Sequence, residues 1–309
     1  MEGSPGKIRL STLPDDIVFR IMSFLTMRQA VRMCVLWRRW RNLWRTVPCI
    51  NADISEFKRR DTEHYDQETE LAFKMFMERL NELRDPAPLI HTFRFRCILD
   101  LNEEINHILD SEVINGWISH AVQKQPHFLD IVLLCDKLEL NHSAFNCRYL
   151  RRIEFTNVIL MQGFFKQLEM GCPAMRGLFL DECSVEDVEI SSQTLKVLTI
   201  KNTHVSYGNK TTISTPSVTY LKLWSPLNGT YVLNDMPLLV TSLLVLYMCK
   251  TLEKPQRIIG KLEDRSFTCE HLTRVEVVCS EDDPLVEDVV NFFVNSGLTS
   301  AQVHIIRQV

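Results

Sequence analysis

The sequence predicts an α+β chain: a three-helix head over residues 1–50, then an irregular solenoid of repeats with a parallel β-sheet over residues 88–309. Residues 51–87 read as a charged linker and a connecting helix. Three observations predict this. Seven of the nine positions from Ile17 to Leu25 are apolar, an apolar triplet recurs along the rest of the chain at a nearly constant step, and the text between is dense in charge.

In the head, Pro14 suits the start of a helix, and Asp15 and Asp16 put negative charge in its first turn against the helix dipole. A helix of about three turns is expected over residues 14–25. A helix covering one small core carries three or four apolar residues per two turns, so this run holds more than one core covers. It falls far short of the roughly 20 residues that span a bilayer. A partner protein is the better cover. After Thr26, a second helical stretch spaces Ala30, Val31, Cys34, Val35 and Leu36 by turns, followed by Trp37, Trp40, Leu43 and Trp44, and the unit ends near Val47-Pro48. Units of about 45 residues rarely stabilise themselves by their own core, which favours completion by association.

Residues 56–70 are charged and read as a solvated connection; residues 71–83 form a helix with Phe73, Phe76, Met77 and Leu80 on one face, stopped at Asp85-Pro86. Beyond it, apolar residues recur at positions one, four and six. The triplets are Ile90-Phe93-Phe95, Phe128-Ile131-Leu133, Leu150-Ile153-Phe155, Met175-Leu178-Leu180, Leu195-Leu198-Ile200, Val218-Leu221-Leu223, Val240-Leu243-Val245 and Leu272-Val275-Val277. From the second to the seventh the steps are 22, 25, 20, 23 and 22 residues, inside the leucine-rich-repeat range. One short strand per coil points alternate side chains inward, and stacked coils share one apolar interior.

Seven or eight residues after each triplet begins stand Cys97, Cys135, Asn157, Cys183, Asn202 and Cys279, with Cys249 one further on. A small polar group there is expected to turn inward and bond to backbone amides as the chain leaves the strand. The long first step holds an amphipathic helix with Ile105, Ile108, Leu109, Val113, Trp117, Ile118 and Ala121 available for the core. Residues 250–268 show no strand-and-turn period, and the expectation is that one or more repeats are missing there. Asp283-Pro284 opens a helix through Phe292 and Phe293 that ends before Gly297, and residues 301–306 read as a closing strand.

Composition narrows the function classes. The net charge is −4 with ten cysteines and no C-x-x-C pair, so the thiols read as reduced, in a cytoplasmic or nuclear protein without a signal peptide. There is no Gly-rich phosphate loop, no G-x-S-x-G elbow and no H-E-x-x-H helix, and Cys269, His271 and Cys279 lack zinc spacing. The expectation is a non-enzymatic chain with no metal, no cofactor and no membrane span. A run of arginines in the head (Arg20, Arg28, Arg32, Arg38, Arg39, Arg41, Arg45) raises nucleic-acid binding as an alternative, which the acidic whole chain disfavours.

The head resembles the F-box: Leu13-Pro14, Asp15-Asp16, Ile17, Ile21, Phe24-Leu25, Cys34-Val35-Leu36, Arg38-Arg39-Trp40 and Leu43-Trp44 stand in order. With the repeats, the chain is similar to plant F-box/leucine-rich-repeat proteins. That resemblance implies a substrate-receptor subunit of an SCF-type ubiquitin ligase, whose F-box docks on a Skp-type adaptor linked to a cullin-RING scaffold and whose repeats present a protein target, unknown here. It places the adaptor contacts on Leu13, Pro14, Ile17, Ile21, Leu25, Val31, Cys34 and Val35; Trp37 departs from the pattern, which has a small polar residue there. The second reading is a leucine-rich-repeat binding protein outside any ligase, with the head as a cap. Outward residues Arg94, Arg96, Asp130, Arg152, Glu154, Lys196, Thr199 and Lys222 lean basic and suit an acidic partner.

Overall fold

The computed structural model describes residues 13–36, 38–59, 66–85, 89–98, 108–134, 138–205, 210–224, 226–234, 236–246, 257–260, 271–280, 285–295, 297–299 and 302–308. The head opens with α1 (Asp15–Met22), entered from Pro14 and with both aspartates in its first turn. It ends three residues before the expected Leu25. There the Ser23 hydroxyl donates to the Arg20 carbonyl at 2.7 Å, a local bond that competes with helix continuation. After α2 (Met27–Leu36), the residues expected to follow the second helical stretch form 3-10 turns at Arg38–Trp40 and Leu43–Arg45, so among the described residues the head of three expected helices has two α-helices. Arg38, Arg39 and Arg41 would put positive charge at the positive end of a third helix, and about ten residues before Pro48 are too few to offset that. Val18, Met22, Ala30, Cys34, Trp40 and Val47 form the head's own core.

The main sheet begins earlier than expected, at β1 (Cys49–Asp53), on residues the sequence assigns partly to the linker. Ile50 and Ala52 point inward while Cys49, Asn51 and Asp53 are half-buried, the period-two signature of a strand with one covered face. Next comes α3 (Gln67–Leu83), which starts four residues before its expected position because the Asp66 carboxylate accepts the Thr69 amide at 2.8 Å. Then follow β2 (Thr92–Ile98), α4 (Ser111–Gln123), capped by Asp110, and β3 (Phe128–Leu134). Phe73 of α3, Phe95 of β2 and Trp117 of α4 lie within 5.9 Å of one another, ring centroid to centroid, and join these elements in one core.

The chain continues through β4 (Leu138–Glu139), β5 (Arg152–Thr156), β6 (Val158–Leu160), α5 (Phe164–Gly171), β7 (Gly177–Asp181), β8 (Ser184–Val185), β9 (Glu189–Ser191) and β10 (Val197–Lys201). It closes with β11 (His204–Val205), β12 (Lys210–Ser214), β13 (Tyr220–Trp224), β14 (Thr230–Leu233), β15 (Thr241–Val245), β16 (Arg257–Gly260), β17 (Arg274–Ser280), α6 (Leu285–Asn295) and β18 (Val303–Gln308). Ten strands lie parallel in chain order, β1-β2-β3-β5-β7-β10-β13-β15-β17-β18. The others form two four-stranded parallel sheets, β11-β8-β6-β4 and β16-β14-β12-β9.

One inward column of the main sheet runs Phe93, Leu129, Ile153, Leu178, Leu198, Leu221, Ser242 and Val275 in register. Six of the eight expected triplets fall on the inward face. In β3 the expected triplet lies two residues late, which keeps the face: Ile131 and Leu133 are inward as expected and only Phe128, half-buried, is not. In β15 it lies one residue late, and the inward residues are Ser242 and Leu244, so Val240 and Leu243 face out. A strand read one residue out of phase exchanges its two faces. Ser242 is fully buried, and a polar residue in an apolar slot hid the true phase.

Residues 250–268 lie outside the described residues except 257–260, which are strand β16, paired in register with β14; meanwhile β15 pairs directly with β17 over five residues. Pairing thus crosses the place where a repeat was expected to be missing. The small polar residues after the strands act less uniformly than expected. Asn157 and Asn202 occupy left-handed backbone, which asparagine tolerates better than most residues. The Cys183 thiol donates to the carbonyls of Asp181 (3.3 Å) and Phe155 (3.5 Å). Cys135 and Cys249 lie outside the described residues.

Candidate functional site

In α1, Val18 and Met22 turn into the head's core, which leaves Pro14, Ile17, Ile21 and Phe24, three or four residues apart, along one side. Ile17 is 39 % exposed and Phe24 78 % exposed. In α2, Ala30 and Cys34 are buried, while Val31 is half-buried and Val35, one turn on, is 77 % exposed. Single exposed apolar residues are ordinary on a protein surface, but a run at helical spacing is not. Along α3, Leu71, Met75 and Leu83 are also exposed, yet Arg79 interrupts them with an ion pair to Glu82 at 3.2 Å. The head's row is unbroken from Pro14 to Phe24.

The residues predicted from sequence separate accordingly. Pro14, Ile17 and Val35 are exposed, and Leu13, Ile21, Leu25 and Val31 are half-buried. Cys34 is 1 % exposed, its thiol pushed above the ordinary range by burial, so it supports the face from behind and offers no surface. Phe24, absent from the predicted contacts, is the most exposed large apolar side chain among the described residues of the head; its place one turn beyond Ile21 was the available signal. Trp37 lies outside the described residues.

The head is held on the first edge of the sheet by its other side. Met27 enters the main core, and Trp44 packs on both cores. The Thr26 hydroxyl bonds the Glu56 carboxylate, and the Arg28 guanidinium bonds the Glu56 carbonyl and lies 4.2 Å from the Phe57 ring centroid. These contacts fix the apolar row without covering it.

A second surface is the outward face of the main sheet, where the rung Arg94, Asp130, Glu154, Phe179, Thr199 and Lys222 is aligned strand to strand. Arg152 lies 4.0 Å from the Phe179 ring centroid and 5.8 Å from that of Phe128, and it pairs with Glu154. Asp130 is held above the usual carboxylate range, by burial first and by Glu154 second, against Arg94, Arg96 and Arg152. Thr199 is buried, contrary to its expected exposure. Burial raises the thiols of Cys172, to about 11, and Cys183, to about 12, so both are protonated at neutral pH. Among the described residues no group of three or more His, Cys, Asp or Glu is placed to hold a metal, and no helix is long and apolar enough to cross a membrane.

An FBD-associated F-box protein of Arabidopsis thaliana is 25 % identical over 256 residues, 74 % of this chain and 54 % of its own length. The meiotic F-box protein MOF of rice, Oryza sativa subsp. japonica, is 26 % identical over 239 residues, 74 % of this chain and 49 % of its own length. The chain is a relative of plant F-box/leucine-rich-repeat proteins. One such F-box/LRR-repeat protein of Arabidopsis is 28 % identical over 217 residues, 62 % of this chain and 64 % of its own length. The chain spans about half the length of most of the curated relatives it matches. No family model matches it.

Proposed function

We propose that the chain is a substrate-receptor subunit of an SCF-type ubiquitin ligase: its head is an F-box that docks on a Skp-type adaptor, and its sheets form a leucine-rich-repeat solenoid that presents a protein target. The observation that carries this reading is the apolar row Pro14, Ile17, Ile21 and Phe24, with Ile17 and Phe24 exposed and Val35 of α2 exposed as well. Covering one large apolar side chain is worth about 1.5–3 kcal/mol, so a few such residues supply a substantial part of a docking energy. The names of the relatives support the same reading. The chain contributes no chemistry of its own; holding a target beside the conjugating enzyme raises its effective concentration for transfer. A cytoplasmic or nuclear location suits this role.

Co-purification with a Skp-type adaptor tests it. The parent chain is expected to be captured, and a Phe24→Asp, Val35→Asp variant, altered only at exposed positions, is expected to lose capture while its circular dichroism and melting are unchanged. Equal capture of both would mean that the head does not dock through this face.

A further inference from the structure

Immediately before the strands of the main sheet, a second ladder of backbone bonds runs from Pro48 to Thr273, and five consecutive members of it, His91, His127, Arg151, Arg176 and Lys196, have basic side chains. The amide of His127 donates to the carbonyl of His91 at 2.9 Å, Arg151 to His127 at 2.8 Å, Arg176 to Arg151 at 2.8 Å and Lys196 to Arg176 at 2.8 Å. The bonds set these residues side by side along one rim of the sheet. All five are exposed or half-exposed; Arg151, Arg176 and Lys196 carry positive charge, while His127 is held towards its neutral form by burial first and then by His91 and Arg151. The His91 and His127 rings stack at 5.1 Å.

Residues 89–92, 124–128, 146–152, 172–177 and 192–197, which lead into these strands, contain no Asp or Glu, although the whole chain carries 39 of them and a net charge of −4. Arg176 bonds only carbonyls, those of Met175 and Thr194, and among the described residues no carboxylate pairs with Arg151, Arg176 or Lys196. The carboxylate that does reach the rim, Glu169, accepts the Gln193 amide at 3.2 Å. At the far end of β7, Asp181, Glu182, Glu186 and Asp187 stand close together in the chain, and Lys201 at the far end of β10 pairs with Asp181 at 3.8 Å.

We propose that this rim binds an acidic segment of a partner polypeptide in extended form. Neighbouring strands are about 4.8 Å apart, so the five positions span about 19 Å. An extended peptide repeats its same-side residues about every 6.8 Å, which lets three alternate Asp or Glu residues lie along the row. A nucleic acid fits less well: the exposed and half-exposed rings of the rim, His91, His127 and Tyr149, gather at one end, and none stands between Arg151 and Lys196 for bases to stack on. The proposal rests on the reading of the sheets as the target-presenting part, and it names the chemistry of the target.

The test uses the full chain and a fluorescent twelve-residue peptide alternating Glu with Ser or Gly, followed by anisotropy, with a twelve-nucleotide oligo-uridine and a neutral peptide of equal length in parallel. The acidic peptide is expected to bind, more weakly as salt rises. An Arg151→Glu, Arg176→Glu variant is expected to lose about tenfold or more in affinity, while Lys166→Glu, Lys210→Glu, with the same change in net charge elsewhere, keeps it. Adaptor capture, measured on the same variants, is expected to be unchanged, so failure here is distinct from failure of the head's assignment. Absence of binding, equal loss in both variants, or tighter rim-dependent binding of the oligonucleotide would each overturn the proposal.

Discussion

The two ends of the ten-stranded sheet are treated differently. At the first end, β1 lies under the helical head: Ile50 and Ala52 are buried, and Met27 and Trp44 press on the same core. At the other, β18 is the last strand of the sheet, and its consecutive residues Ile305 and Ile306, which point to opposite faces, are each 42 % exposed. An uncovered edge leaves backbone donors and acceptors free for pairing, and covering one takes a dedicated element. The head is that element. What distinguishes it from a simple cap is that it keeps a second apolar face after the first has been used.

Equivalent substitutions at the two ends should therefore differ widely. Ile50→Lys places a charge inside the joint between head and sheet and is expected to cost more than about 4 kcal/mol. Ile305→Lys, in a strand half-open to water, is expected to stay within about 1 kcal/mol. Urea unfolding midpoints of the two variants make the comparison, and similar losses would mean that the far end is as closely packed as the near one.

A smaller change sharpens the same contrast. Removing the Arg28 guanidinium, which bonds the Glu56 carbonyl and covers Phe57, should weaken the joint by about 1–2 kcal/mol. Hydrogen exchange in residues 49–53 of the Arg28→Ala variant should quicken while residues 274–280 stay as they were; uniform change along the sheet would show that the joint is not a local clasp.

The smallest effect is one of pH. His120, near the end of α4, is held below the ordinary histidine value, by burial first and by Lys124 second; His127 is shifted the same way, by burial first and then by His91 and Arg151. Folding therefore favours the neutral rings. Their contribution is complete above the ordinary value of 6.5 and is lost as pH falls from there through the depressed folded-state values. Melting temperature should decline over that interval, and His120→Gln should flatten part of the decline. An unchanged slope in that variant would remove His120 from the account.

Much of this architecture was legible from spacing alone. The strand triplets that begin at Leu150, Met175, Leu195 and Val218 are inward as expected, because each slot holds a large apolar residue. The phase was lost at β15, where Ser242 occupies the inward slot. At β3 the expected face is right for Ile131 and Leu133, but Phe128, expected inward, has a ring that serves Arg94 and Arg152 on the outward face. In the candidate site, periodicity located the exposed row but not its depth. Cys34 and Val35 are adjacent in sequence, yet one is core and the other surface, and only the direction in which α2 meets α1 decides between them. The basic rim was legible only in part, since its residues lie 20 or more positions apart and come together through the strand register.

Hydrogen–deuterium exchange of the chain with and without saturating Skp-type adaptor tests the central claim most directly. The account predicts slowed exchange in residues 15–36, where the uncovered side chains stand, with residues 274–280 and 303–308 unaffected. Adaptor binding that leaves residues 15–36 exchanging at their free rate would contradict it.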